Sequence, residues 1–191
     1  ELAWVRLTDG NQQVIVATKN GLAIRFEETD VRPMGRQARG VKAISLREGD
    51  CVVGMCVVAN DDLILTASET GFGRISNVSD YRLQSRGGKG ITNYHTEKYG
   101  NVAAVSAVKL DEDIIIISQE GVIIRIAADT VRICNRPSKG VTLMRIGEND
   151  KVVTVARAPH EDSESEKTED TAEEETSEEN TAPETNAEEN T

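Results

Sequence analysis

Arginine and lysine side chains recur in three windows of the chain, residues 22 to 42, 72 to 92 and 122 to 142. Together the windows hold 13 basic residues against five acidic ones, a net charge of +8. Guanidinium and ammonium groups at this density can neutralise the phosphates of a polyanion, and the release of condensed counterions drives such binding. We predict that the basic residues of the windows contact a ligand of this kind: Arg25, Arg32, Arg36, Arg39, Lys42, Arg74, Arg82, Arg86, Lys89, Arg125, Arg132, Arg136 and Lys139.

A glycine-rich segment lies at the end of the second window. Its three glycines within four residues allow a tight turn and a close approach of the backbone to another surface, and Arg86 and Lys89 project from that turn. The spacing G-x-x-x-x-G-K-[ST] of a nucleotide-binding loop is absent, because Gly90 follows Lys89. The segment consists of Gln84, Ser85, Arg86, Gly87, Gly88, Lys89 and Gly90.

The other reactive side chains form no catalytic or metal-binding pattern. Tyr81, Tyr94 and Tyr99 lie in one short stretch, and we predict structural or surface roles for them. His95 has no second titratable partner at a recurring spacing. The acidic clusters Asp61-Asp62 and Asp111-Glu112-Asp113 could suggest a metal site, but they fall at predicted turns, where Asp is favoured because it hydrogen-bonds the local backbone. We expect no catalytic residue, no cofactor site and no metal site in this chain.

The windows recur because the whole chain repeats with a period of 50 residues. The turn Thr18 to Gly21 returns as Ser68 to Gly71 and as Ser118 to Gly121. The basic residues before Gly40, Gly90 and Gly140 keep the same spacing. A fixed period of this length is typical of propellers and solenoids, in which neighbouring repeats share a core.

Each repeat is predicted to contain about four short strands. In the second repeat, apolar stretches are separated by the turn at 60 to 62, the hairpin at 69 to 71 and a polar segment from 77 to 89. Four strands in about 50 residues are typical of a propeller blade. We predict an all-β partial propeller of three blade-like repeats, at 1 to 50, 51 to 100 and 101 to 150, with a closing strand at 151 to 157. Because propellers have four to eight blades, three are expected to form part of a ring.

Residues 158 to 191 have a different composition. They hold 14 of the 33 acidic residues and only one of the 22 basic ones, and they contain no large apolar side chain. Such a segment cannot bury enough apolar surface to offset the entropy of ordering, so we predict a disordered acidic tail. It is either a solubilising end or a competitor of the polyanion for the basic windows. No apolar run approaches the 18 or so residues of a membrane span, so we expect no membrane contact.

Duplex DNA is the polyanion that the composition favours. Aromatic residues make up 3% of the sequence, so stacking platforms for unpaired bases are missing. Basic side chains at one place in every repeat would instead line the edge of the propeller and hold a bent duplex by its backbone. The competing interpretation is a solvated edge, on which Lys and Arg prevent strands from pairing with other molecules.

The sequence resembles the C-terminal domain of the bacterial DNA gyrase A subunit, a β-pinwheel propeller. Gln84 to Gly90 is similar to that family's Q-[KR]-R-G-G-[KR]-G box at six of seven positions, with Ser85 as the departure. The turn glycines, the basic residues before Gly40, Gly90 and Gly140, and the acidic end also match over residues 1 to about 157. The family's box lies in the first of about six blades, whereas Gln84 to Gly90 lies in the second of three repeats. It is therefore either the functional box or a degenerate copy.

The resemblance implies a non-catalytic domain that wraps double-stranded DNA for a type IIA topoisomerase. The parent enzyme would use ATP and Mg²⁺ for negative supercoiling. Its partners would be DNA, the remainder of the gyrase A subunit, and the gyrase B subunit in a bacterial, cytoplasmic heterotetramer. The equivalent domain of the topoisomerase IV A subunit is the nearest alternative. A propeller that binds a protein partner is the alternative from another class.

Overall fold

The computed structural model describes residues 2 to 160. The predicted acidic tail lies outside the described residues from position 161 onward. No helix in the described part has the length and hydropathy that a membrane crossing requires. In chain order the strands are β1 (Gln13–Thr18), β2 (Leu22–Glu27), β3 (Val52–Val58), β4 (Leu63–Ser68), β5 (Phe72–Asn77), β6 (Ile91–Thr92), β7 (Val102–Val108), β8 (Glu112–Ser118), β9 (Ile123–Ala127), β10 (Val141–Thr142) and β11 (Val152–Pro159).

Three antiparallel hairpins form the centre of the fold, and the predicted turn glycines close them. Gly21, Gly71 and Gly121 have φ angles of 79°, 81° and 85°, a region that side chains with a Cβ rarely adopt. Each hairpin leads into one turn of 3-10 helix, at Glu28–Asp30, Val78–Asp80 and Ala128–Thr130. A short helix, α1 (Thr96–Tyr99), follows β6. The prediction of an all-β fold is confirmed.

The sheets combine strands from neighbouring repeats. The first sheet has the order β3-β1-β2-β6, the second β7-β4-β5-β10 and the third β11-β8-β9. Each sheet therefore takes its central hairpin from one repeat and its outer strands from the next. The repeat and the blade are different units, because each repeat gives its first and fourth strands to the blade before it.

This exchange explains why the first repeat lacks two of the four predicted strands. Residues 2 to 8, which correspond to β3 and β7, form no strand, and neither do residues 41 and 42. The described residues contain no sheet before the first one, so these segments have no strand to pair with. Leu2, Val5 and Leu7 are accordingly exposed.

At the other end, β11 takes in the third sheet the place that β3 and β7 take in the first two. It pairs with β8 from Val152↔Ser118 to Pro159↔Glu112. The strand therefore runs two residues beyond the predicted closing strand at 151 to 157, and Ala158 and Pro159 belong to the folded part and not to the tail.

Of the three apolar clusters in residues 2 to 160, two lie between successive sheets and one packs against the first sheet alone. Ile15 and Cys56 of the first sheet pack with Ile64 and Val102 of the second. The next cluster joins Leu65 and other residues of the second sheet to the third. Burying an aliphatic side chain of this size contributes about 1.5–3 kcal/mol to folding stability. The sheets are therefore held together by their faces, and their edges remain at the surface.

Candidate nucleic-acid interface

The arginine in β2 is not a surface residue. Arg25 is 4% exposed, and its Nε donates to Gln13 Oε1 at 2.7 Å. Its Nη1 donates to the backbone oxygens of Val78 and Tyr81, and Nη2 contacts Asn60. Burial lowers the pKa of the guanidinium. Arg25 therefore connects the first two repeats, and its predicted contact with a polyanion is wrong.

Arg74 in β5 is fully buried as well. Its Nη2 donates to the backbone oxygen of Asn93 at 2.5 Å and to Asn93 Oδ1 at 3.2 Å, and the guanidinium lies 5.7 Å from the ring centre of Tyr94. Burial lowers its pKa. The predicted ligand contact of Arg74 is wrong for the same reason as that of Arg25.

Arg74 is also not the structural equivalent of Arg25. In the first hairpin Arg25 pairs with Ile15, whereas in the second hairpin Ile75 pairs with Leu65. Since successive residues of a strand point to opposite faces, a shift of one position places Arg74 on the other side of its sheet.

Arg125 holds in β9 the position that Arg25 holds in β2. Its Nε donates to Asp113 Oδ2 at 2.6 Å, and its Nη2 donates to the Pro159 backbone oxygen at 2.6 Å. The side chain is 36% exposed, but the carboxylate compensates its charge. Arg125 therefore adds little to a positive surface.

Two basic columns remain on the surface at the repeat spacing. The first column follows the three 3-10 turns, and the residue before each member has an extended backbone, with φ of −97°, −97° and −87°. The backbone that leads to the three arginines therefore has the same local geometry in every repeat. All three are exposed, and the first column consists of Arg32, Arg82 and Arg132.

The second basic column precedes three glycines with φ near 80°, Gly40, Gly90 and Gly140. A Cβ on Gly90 would lie 2.6 Å from the backbone oxygen of Ala23, and one on Gly140 would meet Gly73. Gly90 and Gly140 let their loops lie directly on the edge of a sheet, whereas a Cβ on Gly40 would meet no atom within 4 Å. The second column is exposed and consists of Arg39, Lys89 and Lys139.

The two columns carry free positive charge. Within residues 2 to 160, no carboxylate lies within 4 Å of any of their charged groups. Lys139 Nζ lies 3.5 Å from the ring centre of Phe72, which positions the ammonium without neutralising it. Arg36 and Lys42 are also exposed and add to this charge.

The glycine-rich segment is fastened to the first repeat. Gly87 donates its amide to the Ala43 oxygen at 2.6 Å, and Ser45 donates its amide to the Gly88 oxygen at 2.8 Å. Ser85 and Lys89 are exposed, whereas Gln84 and Arg86 are half-buried. Arg86 and its counterpart Arg136 donate to backbone oxygens of the preceding repeat. Sequence reasoning missed this role, although the 50-residue spacing of Arg36, Arg86 and Arg136 was a signal for it.

The tyrosines have structural roles. Tyr81 and Tyr94 are each 1% exposed. The Tyr81 hydroxyl donates to Asn93 Oδ1 at 2.6 Å, and the Tyr94 hydroxyl donates to the Lys139 oxygen at 3.0 Å. In the part of the chain that the structure describes, no three His, Cys, Asp or Glu side chains are grouped to hold a metal ion.

Strand exchange between repeats, together with basic columns on the sheet edges, defines a pinwheel-type propeller domain with a positively charged edge. Residues 12–58, 62–109 and 112–159 match the family model described as DNA gyrase C-terminal domain, beta-propeller. The chain belongs to this family.

The relatives and solved structures agree with this assignment. The DNA gyrase A subunit of Staphylococcus aureus is 46% identical over 173 residues, which is 89% of this chain and 19% of that protein. A solved DNA gyrase A C-terminal domain has a TM-score of 0.71 and 31% identity over 78% of this chain and 51% of its own. The C-terminal domain of DNA topoisomerase IV has a TM-score of 0.76 and 25% identity over 81% and 49%. The chain thus spans about a fifth of the curated relative and half of each solved domain.

Proposed function

We propose that this domain binds duplex DNA along its two basic columns and bends it around the propeller edge, as part of a DNA gyrase A subunit. The observation that carries the proposal is the recurrence of six exposed basic side chains, without a carboxylate partner in residues 2 to 160, at two positions in each of three consecutive repeats. Successive blades then offer phosphate contacts along a curved path, which favours backbone binding of a bent duplex over reading of bases.

The wider assignment rests on the family. The parent protein would be a bacterial cytoplasmic topoisomerase that uses ATP and Mg²⁺ and assembles with the gyrase B subunit. In that complex the domain would supply a wrapped DNA segment, while strand cleavage belongs to other parts of the enzyme. The curated relatives at 44–46% identity are gyrase A subunits, which favours gyrase over topoisomerase IV.

Binding of a duplex at several salt concentrations tests the DNA contact. The variant R32Q/R82Q/R132Q removes the first basic column, and K98Q/K109Q/K151Q removes the same charge from other exposed positions. Each lost phosphate contact lowers the slope of log affinity against log salt by about 0.9, so the column variant should lose roughly 2–3 from its slope. The control should lose much less. Equal losses in the two variants would show that net charge alone controls binding and would contradict the proposal.

Wrapping is tested on a relaxed circular plasmid. The domain is added, a topoisomerase relaxes the DNA that the domain does not constrain, and the protein is then removed. A positive change in linking number supports gyrase-type wrapping, whereas an unchanged linking number at saturating protein contradicts it.

A further inference from the structure

Arg86 is directed at the backbone of the preceding repeat and not at solvent. Its Nε donates to the Asp30 oxygen at 2.9 Å, and its Nη1 donates to the Lys42 oxygen at 3.3 Å. Both acceptors belong to the first repeat, whereas Arg86 lies in the glycine-rich segment of the second. One guanidinium therefore bridges two backbone segments that are 12 residues apart in the sequence.

Arg136 makes the same pair of contacts one repeat later. Its Nε donates to the Asp80 oxygen at 2.8 Å, and its Nη1 donates to the Thr92 oxygen at 2.5 Å. In both cases the acceptors precede the arginine by 56 and 44 residues. The guanidinium of Arg136 also lies 5.0 Å from the ring centre of Tyr81. Two occurrences of one geometry, in segments that share only the arginine and the Lys-Gly pair, indicate a recurring structural contact.

The acceptors lie beside the residues of the basic columns. Asp30 is two residues before Arg32, and Lys42 is three residues after Arg39; Asp80 and Thr92 stand in the same relation to Arg82 and Lys89. Each arginine also lies between the two column residues of its own repeat. A single side chain thus fastens the column residues of one repeat to those of the preceding repeat.

The contact requires an arginine. The planar guanidinium presents donors in a rigid fork and can reach two carbonyl oxygens at once, whereas a lysine ammonium is a point charge on a flexible stem. Each arginine donates hydrogen bonds from Nε and Nη1 to backbone oxygens. These two hydrogen bonds set the orientation of the guanidinium, so both donors are occupied within the protein.

We infer that Arg86 and Arg136 are positioning residues for DNA wrapping: they set the spacing of the basic columns from blade to blade and do not themselves hold phosphates. This inference rests on the proposed function. It assigns to Arg86 in the glycine-rich segment a role distinct from that of Lys89, whose side chain is exposed beside it.

The test substitutes lysine in both places, R86K/R136K, so that the charge is kept and the fork is lost. Binding of a duplex of about 12 bp, roughly 40 Å long, should keep the wild-type salt slope to within about 0.5. The linking-number change that the same variant produces on a plasmid should fall by about half or more, because the columns lose their fixed spacing. The matched control is R47K/R145K, the same change at exposed positions outside the columns, for which both quantities should stay at the wild-type values.

A second measurement needs no DNA. Amide hydrogen exchange in R86K/R136K should become faster at Gly87 and Ser45, whose amides join the two repeats, and should stay unchanged in β4. If the double variant does not fold, the single variant R86K is measured in the same way.

Three outcomes would overturn the inference. Wild-type linking-number change in R86K/R136K would show that the fork does not matter for wrapping. A loss of about two in the short-duplex salt slope of R86Q/R136Q would show that the arginines contact phosphates themselves. Unchanged amide hydrogen exchange at Gly87 and Ser45 would show that Arg86 and Arg136 do not hold the loops. Failure of the proposed function is a separate result, since wild-type protein would then lack salt-dependent binding altogether.

Discussion

Asp113 Oδ2 accepts a hydrogen bond from Arg125 Nε at 2.6 Å, and at the equivalent positions of the first sheet Gln13 Oε1 accepts one from Arg25 Nε at 2.7 Å. The geometry is the same, but the acceptor in the third sheet is ionised. His160 Nδ1 lies 2.6 Å from the other carboxylate oxygen of Asp113. The hydrogen bond with His160, and that with Arg125, hold the pKa of Asp113 below its ordinary value of 3.8.

Asp113 should make the third sheet sensitive to acid. Because its pKa in the folded state is lower than in the unfolded state, its contribution to stability is present above about pH 4 and is lost as pH falls through the folded-state pKa. D113N should therefore be less stable than wild type at neutral pH and should lose less of its Tm between about pH 5 and pH 2. The control is D111N, at an exposed position in the preceding turn. The same acid-induced fall in Tm for D113N and wild type would contradict this account.

Gly90 and Gly40 allow a test of the loop contact, since they have φ angles of 73° and 80° but different surroundings. A Cβ on Gly40 meets no atom within 4 Å, whereas one on Gly90 would lie 2.6 Å from the Ala23 oxygen. G40A should cost about 1–2 kcal/mol of unfolding free energy, from backbone strain alone. G90A should cost at least about 1–3 kcal/mol more because the loop must move off the sheet. Urea unfolding compares the two, and equal losses would show that the close approach is unimportant.

Substitution of Arg74 should lower the stability of the fold, whereas substitution of Arg82 should weaken DNA binding. R74A removes a fully buried side chain and leaves the Asn93 oxygen without its donor, so we expect a loss of roughly 2–4 kcal/mol in unfolding free energy. R82A removes an exposed side chain and should change stability by about 0.5 kcal/mol or less. Below the Tm of R74A, its salt slope for DNA binding should equal the wild-type slope, whereas R82A should lose about 0.9. A lower slope in R74A than in R82A would contradict the burial argument.

The acidic segment from residue 161 to 191 lies outside the described residues, and its net charge of −13 supports a prediction from sequence alone. If it competes with DNA for the columns, its covalent attachment gives it an effective concentration on the order of millimolar. Removal of residues 161 to 191 should then tighten DNA binding at low salt and have little effect at high salt. A segment of the same length with its acidic residues changed to Gln and Asn is the matched control and should behave like the truncation. Unchanged affinity in both would leave the segment a solubilising role.

The sequence alone was sufficient to predict the 50-residue repeat, the hairpins and the family. Turn glycines such as Gly71 and apolar stretches such as Leu63 to Ser68 act through near neighbours, so local patterns predict them. The exposed columns could be predicted too, because Arg32, Arg82 and Arg132 follow the same turn in each repeat. The extent of the strands was less predictable, since residues 2 to 8 have a strand pattern but no sheet to join among the described residues.

Tertiary structure decided which arginines face solvent. Arg25, Arg74, Arg82 and Arg86 lie in comparable basic windows, yet the first two are buried, the third is exposed and the fourth is bound to another repeat. A guanidinium becomes buried only where carbonyl oxygens of a distant segment replace its water, as Val78 and Tyr81 do for Arg25. Those acceptors come from the exchange of strands between repeats, which brings together residues about 50 positions apart. Local patterns determine turns and strands because their hydrogen bonds close within a few residues, whereas the environment of a charge depends on which distant backbone packs against it.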